Sequence, residues 1–241
     1  MSVVSRDEER FSETGVGPLS RWAAAVYWAL VLEVLIVLTA LPGLVPLVLL
    51  GGDASNAPLV PLCLIPLGPS LVAAIFAWRG FLGVERDLRD LAPARHFWRG
   101  YRRSWLDVLR WWVPLMAVLA VLAVNVVHAD AVSGGGSFAL VSLVIGVALA
   151  CWAGNALVLT ALFALRTRDI ARLSAYYLAA RPAQGFGVLA VVVVAVGLAV
   201  LTSDWVTVLA ASLLTLVLLR NALPVVADVR ERFTASAADD R

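Results

Sequence analysis

Six long apolar runs are the feature that most constrains the fold of this chain. As a helix, a run of about 20 residues crosses the hydrocarbon core of a bilayer. A soluble domain of 241 residues, 61% of them hydrophobic and 15% charged, cannot bury runs of this length in a single core. The sequence therefore predicts an all-α, polytopic transmembrane helical bundle of about six spans. The predicted spans are 22–49, 58–78, 107–128, 137–164, 185–202 and 205–226.

The segments outside these runs divide the chain into three parts. We expect a polar cytoplasmic N-terminus at 1–20, a six-span membrane domain at 21–226 and a cytoplasmic tail at 227–241. The first segment contains Asp7, Glu8 and Glu9, whereas a secretory signal begins with a short basic region. The run that starts at Trp22 is therefore expected to stay in the protein as a membrane-spanning helix.

The arginines predict the orientation of the spans. All 19 basic residues are arginine, and they cluster at the N-terminal segment, between spans 2 and 3, between spans 4 and 5, and at the tail, with Arg110 and Arg220 inside the adjoining ends of spans 3 and 6. The three alternate loops carry no arginine and one acid each, Asp53, Asp130 and Asp204. Cytoplasmic loops are enriched in basic residues, so both termini are expected in the cytoplasm of a multi-pass protein of the cytoplasmic membrane.

Prolines are concentrated in the first two spans. Pro42 and Pro46 are expected to interrupt the first helix, and Pro66 and Pro69 lie within the second. Proline removes a backbone donor, which lipid tolerates only where neighbouring groups satisfy the freed carbonyls. Two interpretations fit: broken helices that line a transport site, and kinks that let helices pack.

A basic and aromatic segment precedes the third span. At about 100° per residue its aromatic and basic side chains fall in opposite sectors. The aromatic sector holds Phe97, Trp98, Tyr101, Trp105, Val108 and Trp112, and the basic sector holds Arg95, Arg99, Arg102, Arg103 and Arg110. This pattern is typical of a helix in the membrane interface that anchors the third span. It also suits a docking surface for a cytoplasmic partner such as an ATPase subunit or a signalling protein, whereas aromatics this apolar disfavour nucleic acid.

Glu33 is the one charged residue deep in a predicted span. It lies about 18 Å from Arg21 along a helix. An ionisable group at that depth is costly and suggests a substrate or ion site. Asn155 and Thr215 are expected at a similar depth and would complete a hydrogen-bonded cluster. The alternative is a protonated glutamic acid that ties helices together.

Other chemistry-bearing residues give no site. Cys63 and Cys151 both lie in apolar runs and are expected to behave as small buried hydrophobes, and no metal site or cofactor is predicted. Glycine loops for phosphate, zinc motifs and nucleophile elbows are all missing from the sequence, so no catalytic residue is assigned and an enzyme is not expected. Gly146, Ala150 and Gly154 recur every fourth residue, which suits close helix packing.

Three stretches resemble a known family. They are Leu41-Pro42, Ile65-Pro66-Leu67-Gly68-Pro69 with the small-residue helix that follows, and Phe97-x-x-Gly100-Tyr101-Arg102-Arg103-Ser104-Trp105. Together, and best over residues 60–115, they resemble the YesL-like family of bacterial membrane proteins, whose function is not established. The resemblance implies a bacterial inner-membrane protein associated with carbohydrate uptake, often beside sugar ABC transporters. It supplies no catalytic residues.

Two functions follow as expectations. The first is a non-enzymatic accessory or regulatory subunit linked to carbohydrate ABC-type uptake, with the lipid bilayer, ABC transporter subunits or a second copy of the chain as partners. The second is a small-solute carrier or substrate-capture subunit that uses Glu33 as an intramembrane site. A third alternative is an intramembrane enzyme or lipid-handling protein, since Glu33 and Asn155 are able in principle to do chemistry, but no second catalytic group accompanies Glu33 in the sequence.

Overall fold

The computed structural model describes residues 18–50, 54–82, 92–131, 135–163, 165–201 and 209–239. Within these ranges every regular element is helical, as predicted. The α-helices are α1 (Pro18–Leu49), α2 (Leu59–Cys63), α3 (Leu67–Leu82), α4 (Pro93–Val127), α5 (Gly135–Leu162), α6 (Thr167–Ala180), α7 (Pro182–Leu201) and α8 (Ala211–Asp239). Short 3₁₀ turns lie at Ala54–Asn56 and Ala129–Ala131.

Five helices are long and apolar enough to cross a membrane: α1, α4, α5, α7 and α8. They coincide with five of the six predicted spans, and the all-helical fold is confirmed for the described residues. Some residues used to predict the topology lie outside the described ranges. These are Arg6, Arg10, Asp53, Arg86, Arg89, Asp204 and Arg241, together with the acids of the N-terminal segment.

The predicted second span is not one helix. The chain forms α2, breaks at Leu64–Pro66 and resumes as α3, whose 16 residues rise about 24 Å. Side chains add hydrogen bonds to the backbone carbonyls at this break. Trp112 Nε1 donates to the carbonyl oxygen of Leu64 at 3.1 Å, and Ser70 Oγ donates to that of Pro66 at 3.0 Å.

The prediction that prolines interrupt the first helix is wrong. Helix α1 continues through Pro42 and Pro46 to Leu49. A proline costs one intrahelical hydrogen bond but does not force the chain out of a helix that neighbours support. Here α2 packs closely on α1, because a β-carbon at Gly43 would overlap the Cys63 carbonyl.

Helix α3 is the centre of the bundle. It packs against α1, α4, α5 and α8, and most extensively against α4. Residues 72–75 and Trp78 are fully buried. Because α3 is apolar on all sides and short, it is covered by protein rather than lipid. Helix α4 comes close to it: a β-carbon at Gly68 would lie 2.7 Å from the ring of Trp112, and one at Gly100 would lie 2.9 Å from Phe76.

Packing is uneven along α5. Residues 153–161 are all buried, whereas residues 136–150 are mostly exposed and include Phe138 at 64%. Of the two glycines in the predicted small-residue contact, only Gly154 is closely packed. A β-carbon at Gly154 would meet Val188 at 2.6 Å, but one at Gly146 would meet nothing within 4 Å. The exposed stretch is apolar, as expected for a surface that faces lipid.

The last helix differs from the predicted span at 205–226. Helix α8 begins at Ala211, inside the predicted span, and continues to Asp239 through most of the segment predicted as a tail. Its first backbone donors therefore lie within the apolar part of the bundle. A helix end leaves its first four N–H groups without intrahelical acceptors, so a buried end requires acceptors from elsewhere in the protein.

Candidate functional site

Glu33 on α1 lies at the beginning of α8. Its side chain is buried, with 7% of its surface exposed. Its Oε2 accepts a hydrogen bond of 2.8 Å from the backbone N–H of Ser212, the second residue of α8. A carboxylate at a helix N-terminus satisfies an unpaired donor and interacts favourably with the helix dipole. The side chain that sequence marked as a possible ion site thus caps a helix.

Three further hydrogen bonds meet at Ser212. Its hydroxyl donates to the carbonyl of Ala29 at 3.0 Å, and Trp78 Nε1 donates to the carbonyl of Ser212 at 3.0 Å. Thr215 Oγ1 donates to the same carbonyl at 2.7 Å. Together they join α1, α3 and α8. Glu33 Oε1 is buried and has no hydrogen-bond partner in the described part of the chain.

The expectation that Asn155 joins Glu33 and Thr215 is wrong. Asn155 Oδ1 accepts a hydrogen bond of 3.1 Å from Gln184 Nε2 on α7. This pair lies beside Ala222 and Val226 of α8, at least ten residues beyond Ser212 and so about 15 Å further along the helix. The predicted common depth of Glu33, Asn155 and Thr215 came from the span boundaries alone. Helix α8 begins later along the chain than its predicted span does.

A small cavity accompanies Asn155 and Gln184. Its volume is about 10 Å³, which matches one water molecule and excludes a solute. Asn155 Nδ2 and Gln184 Oε1 are buried, and neither has a partner among the described residues. A donor and an acceptor on the wall of a water-sized cavity are the groups that a buried water bridges.

A second polar contact closes this cavity towards the basic end of the bundle. Tyr177 lines the cavity, and its hydroxyl donates to Asp228 Oδ2 at 2.8 Å. Asp228 also forms an ion pair with Arg181 at 3.4 Å. The sequence analysis did not single out these residues or Gln184. A signal was present in Ile170, Ser174 and Tyr177, whose spacing of four and three residues marks the buried face of the amphipathic helix α6.

The basic and aromatic segment before the third span is helical, but it is not a separate helix. It forms the first turns of α4, which runs unbroken for 35 residues and rises about 52 Å. That length exceeds the thickness of the hydrocarbon core. The arginine-bearing segment and the third predicted span are therefore one continuous helix, which contains Pro114.

The aromatic sector of this segment is divided between two environments. Phe97 and Val108 are fully buried, and Trp112 is 93% buried. By contrast, Trp98 and Trp105 are 41% and 43% exposed. The aromatic sector spans about 100° of the helix surface, and the part of it next to Gly100 faces α3. The prediction of a wholly lipid-facing aromatic surface is therefore wrong for Phe97.

The basic sector carries a row of exposed arginines. We call Arg95, Arg99, Arg102 and Arg103 the arginine face of α4. All four are exposed, and within the described residues none forms an ion pair. Arg110, in the same sector, is paired with Asp107 at 2.9 Å. Tyr101, at the edge of the aromatic sector, is half-buried against Phe97.

Among the described residues, no group of three or more His, Cys, Asp or Glu side chains is placed to hold a metal ion. Cys151 is buried and Cys63 is half-buried, both as free thiols.

Comparison of the chain with known proteins yields no match to a family model, a curated protein or a solved structure. Its function must therefore be argued from its own residues.

Proposed function

We propose that this protein is a non-enzymatic accessory or regulatory subunit of a membrane transport system, docked to its partner through the arginine face of α4. It is a protein of the bacterial inner membrane with six spans, where α2 and α3 together make the second. Both termini are cytoplasmic. The observation that carries the proposal is the exposure of four guanidinium groups, none of them ion-paired among the described residues, on a helix packed firmly against the bundle.

The orientation rests on the distribution of arginine. Every arginine of the chain falls on one side of the membrane if the spans alternate as proposed. Basic residues near the ends of spans remain in the cytoplasm during insertion. The arginine face then lies in the cytoplasm, where the soluble subunits of a transporter are found.

The docking role rests on the form of the arginine face. Arg99 and Arg103 are one turn apart and exposed, and Trp98 and Trp105 flank them. Arginine and tryptophan are the residues that most often carry binding energy in interfaces. Since α4 is already held by α3, binding orders little more than the side chains themselves. An acidic surface on the partner is the complement.

The link to carbohydrate uptake rests on the family resemblance of residues 60–115. Two stretches that carry it pack together, because Gly68 meets Trp112 and Gly100 meets Phe76. They therefore form one structural unit that includes the arginine face. A partner of the sugar ABC transporter type is what this resemblance implies, and other transport partners are the alternatives that the experiment distinguishes.

Native mass spectrometry of the full chain, purified gently from its own membranes, tests the proposal. We expect the wild-type protein to retain a transporter subunit and the charge-reversed variant R99E/R103E to lose it. The matched control R172E/R220E reverses two other exposed arginines and should retain the partner. Loss of the partner from both variants to the same extent, or from neither, would exclude the arginine face as the docking surface.

A small-solute carrier or substrate-capture subunit is the second candidate, favoured by the start of α8. Discontinuous helices in transporters direct their N-terminal ends at the transported ligand. Helix α8 begins inside its predicted span, directly at Glu33, whose Oε1 has no partner in the described residues. A carrier should lose solute uptake in Glu33→Gln and keep it in R99E/R103E, and the opposite result in an uptake assay favours the accessory subunit.

A further inference from the structure

A second basic feature lies between α4 and the start of α6. There the surface forms an open cleft with a volume of about 500 Å³. Its lining consists of Asp107, Arg110, Leu165, Arg166, Thr167 and Arg168. The volume is in the range of sites that hold small molecules. None of the residues of the arginine face of α4 takes part in it.

The cleft carries an excess of positive charge. Three guanidinium groups, of Arg110, Arg166 and Arg168, face one carboxylate, that of Asp107. The ion pair of 2.9 Å joins Arg110 Nη1 to that carboxylate and leaves the other N–H groups of Arg110 available. Arg166 and Arg168 are exposed and form no ion pair with described residues.

The backbone adds to this charge. Arg166 occupies the N-cap of α6 in an extended conformation, and its own side chain makes no capping hydrogen bond; Asp169 lies in the first turn. Thr167 and Arg168, its first two residues, line the cleft. The positive end of a helix of 14 residues is thereby directed at the same space as the guanidinium groups.

We propose that this cleft binds a phosphate group, and that the group belongs to an anionic phospholipid of the adjacent leaflet. Guanidinium groups hold phosphate oxygens through paired hydrogen bonds. Basic pockets at the ends of transmembrane helices take up the headgroups of anionic lipids in this way. The cleft lies at the junction of α4 with the connection that follows the apolar helix α5, where headgroups are at hand.

This site is independent of the proposed docking function. It uses different arginines, and its ligand is a lipid or a phosphate ion rather than a protein. A transporter partner that binds the arginine face of α4 would leave the cleft unchanged. The two proposals therefore succeed or fail separately.

The test measures lipid binding to the full-length protein in a neutral detergent by native mass spectrometry. Phosphatidylglycerol is titrated, with zwitterionic phosphatidylcholine as the comparison lipid of zero net charge. Inorganic phosphate is titrated separately by calorimetry. The variant R166Q/R168Q should bind phosphatidylglycerol about tenfold more weakly. The control R172Q/R220Q, which removes the same charge from exposed positions outside the cleft, should stay within about twofold of the wild type.

Asp107→Asn provides a second variant with an effect of opposite sign. It removes the one carboxylate of the cleft and releases Arg110 from its ion pair, so phosphatidylglycerol should bind more tightly. Its effect is a gain, which misfolding does not mimic.

The outcomes separate the sources of the phosphate group. Cleft-dependent binding of phosphatidylglycerol supports the lipid. Cleft-dependent binding of inorganic phosphate without such lipid binding supports a phosphate site and overturns the lipid as its occupant. If R166Q/R168Q and R172Q/R220Q weaken both ligands equally, or neither ligand distinguishes them, the cleft is not a phosphate site.

Discussion

Glu33 and the arginine face of α4 are both charged features of an apolar chain, and the structure places them in opposite environments. The carboxylate of Glu33 is buried and accepts a backbone hydrogen bond that connects α1 to α8. The arginines are exposed, and none is paired within the described residues. A charge that the fold satisfies internally contributes to the fold, whereas charges left unpaired on a rigid helix are available to a partner.

The pair of Asn155 and Gln184 lies between these extremes. One hydrogen bond joins the two side chains, and each keeps one group without a partner among the described residues, at a water-sized cavity. The pair is therefore held by the fold but incompletely satisfied. Buried polar groups of this kind weaken a structure when water is withheld and strengthen it when water bridges them.

The largest effect is expected where α3 and α4 pack most closely. Gly68→Leu would place a side chain against Trp112, whose ring atoms lie 2.7 Å from the position of a β-carbon. We expect a loss of about 3 kcal/mol in the free energy of unfolding, because neither helix can withdraw from the centre of the bundle. Reversible unfolding in mixed micelles measures it. Gly146→Leu, where a β-carbon meets nothing within 4 Å, serves as the control and should change stability by less than about 0.5 kcal/mol.

A smaller loss is expected from Glu33. Glu33→Leu leaves the Ser212 N–H without its acceptor in an apolar setting, and we expect a loss of about 2 kcal/mol. Glu33→Gln keeps an acceptor oxygen and should lose less than about 1 kcal/mol. The same unfolding assay compares the two. Equal and negligible effects would show that the hydrogen bond to α8 is not what fixes Glu33, and would strengthen the carrier interpretation.

A still smaller effect is expected from the polar pair. Asn155→Ala and Gln184→Ala should each lose about 1 kcal/mol, and the double variant should lose less than the sum of the two. A double-mutant cycle gives the coupling energy directly. Additive losses would mean that the two amides act separately, each with its own water, rather than as a bonded pair.

The helical architecture was predictable because apolar runs and arginine-rich loops are local features of the sequence. Which prolines break a helix was not predictable from the sequence. Helix α1 passes through Pro42, whereas the chain breaks before α3 at Pro66. At the break, Trp112 donates a hydrogen bond to the carbonyl of Leu64 from 48 residues away. No local pattern contains that partner.

The residues of the candidate sites were predictable more often than their partners were. Sequence identified Glu33 by its depth in an apolar run, but its partner Ser212 is 179 residues distant. Asn155 was assigned to the wrong cluster for the same reason, since Gln184 was not recognised as its partner. The basic cleft was missed because it forms only when Arg110 of α4 meets the start of α6.

The most direct test of the difference between Glu33 and the arginine face measures stability and partner retention on the same two variants. For R99Q/R103Q we expect an unfolding free energy within about 0.5 kcal/mol of the wild type, together with loss of the partner in native mass spectrometry. For Glu33→Leu we expect a loss of about 2 kcal/mol in the unfolding free energy with the partner retained. The reverse pattern, with the partner kept by R99Q/R103Q and lost by a stable Glu33→Leu, would contradict the account.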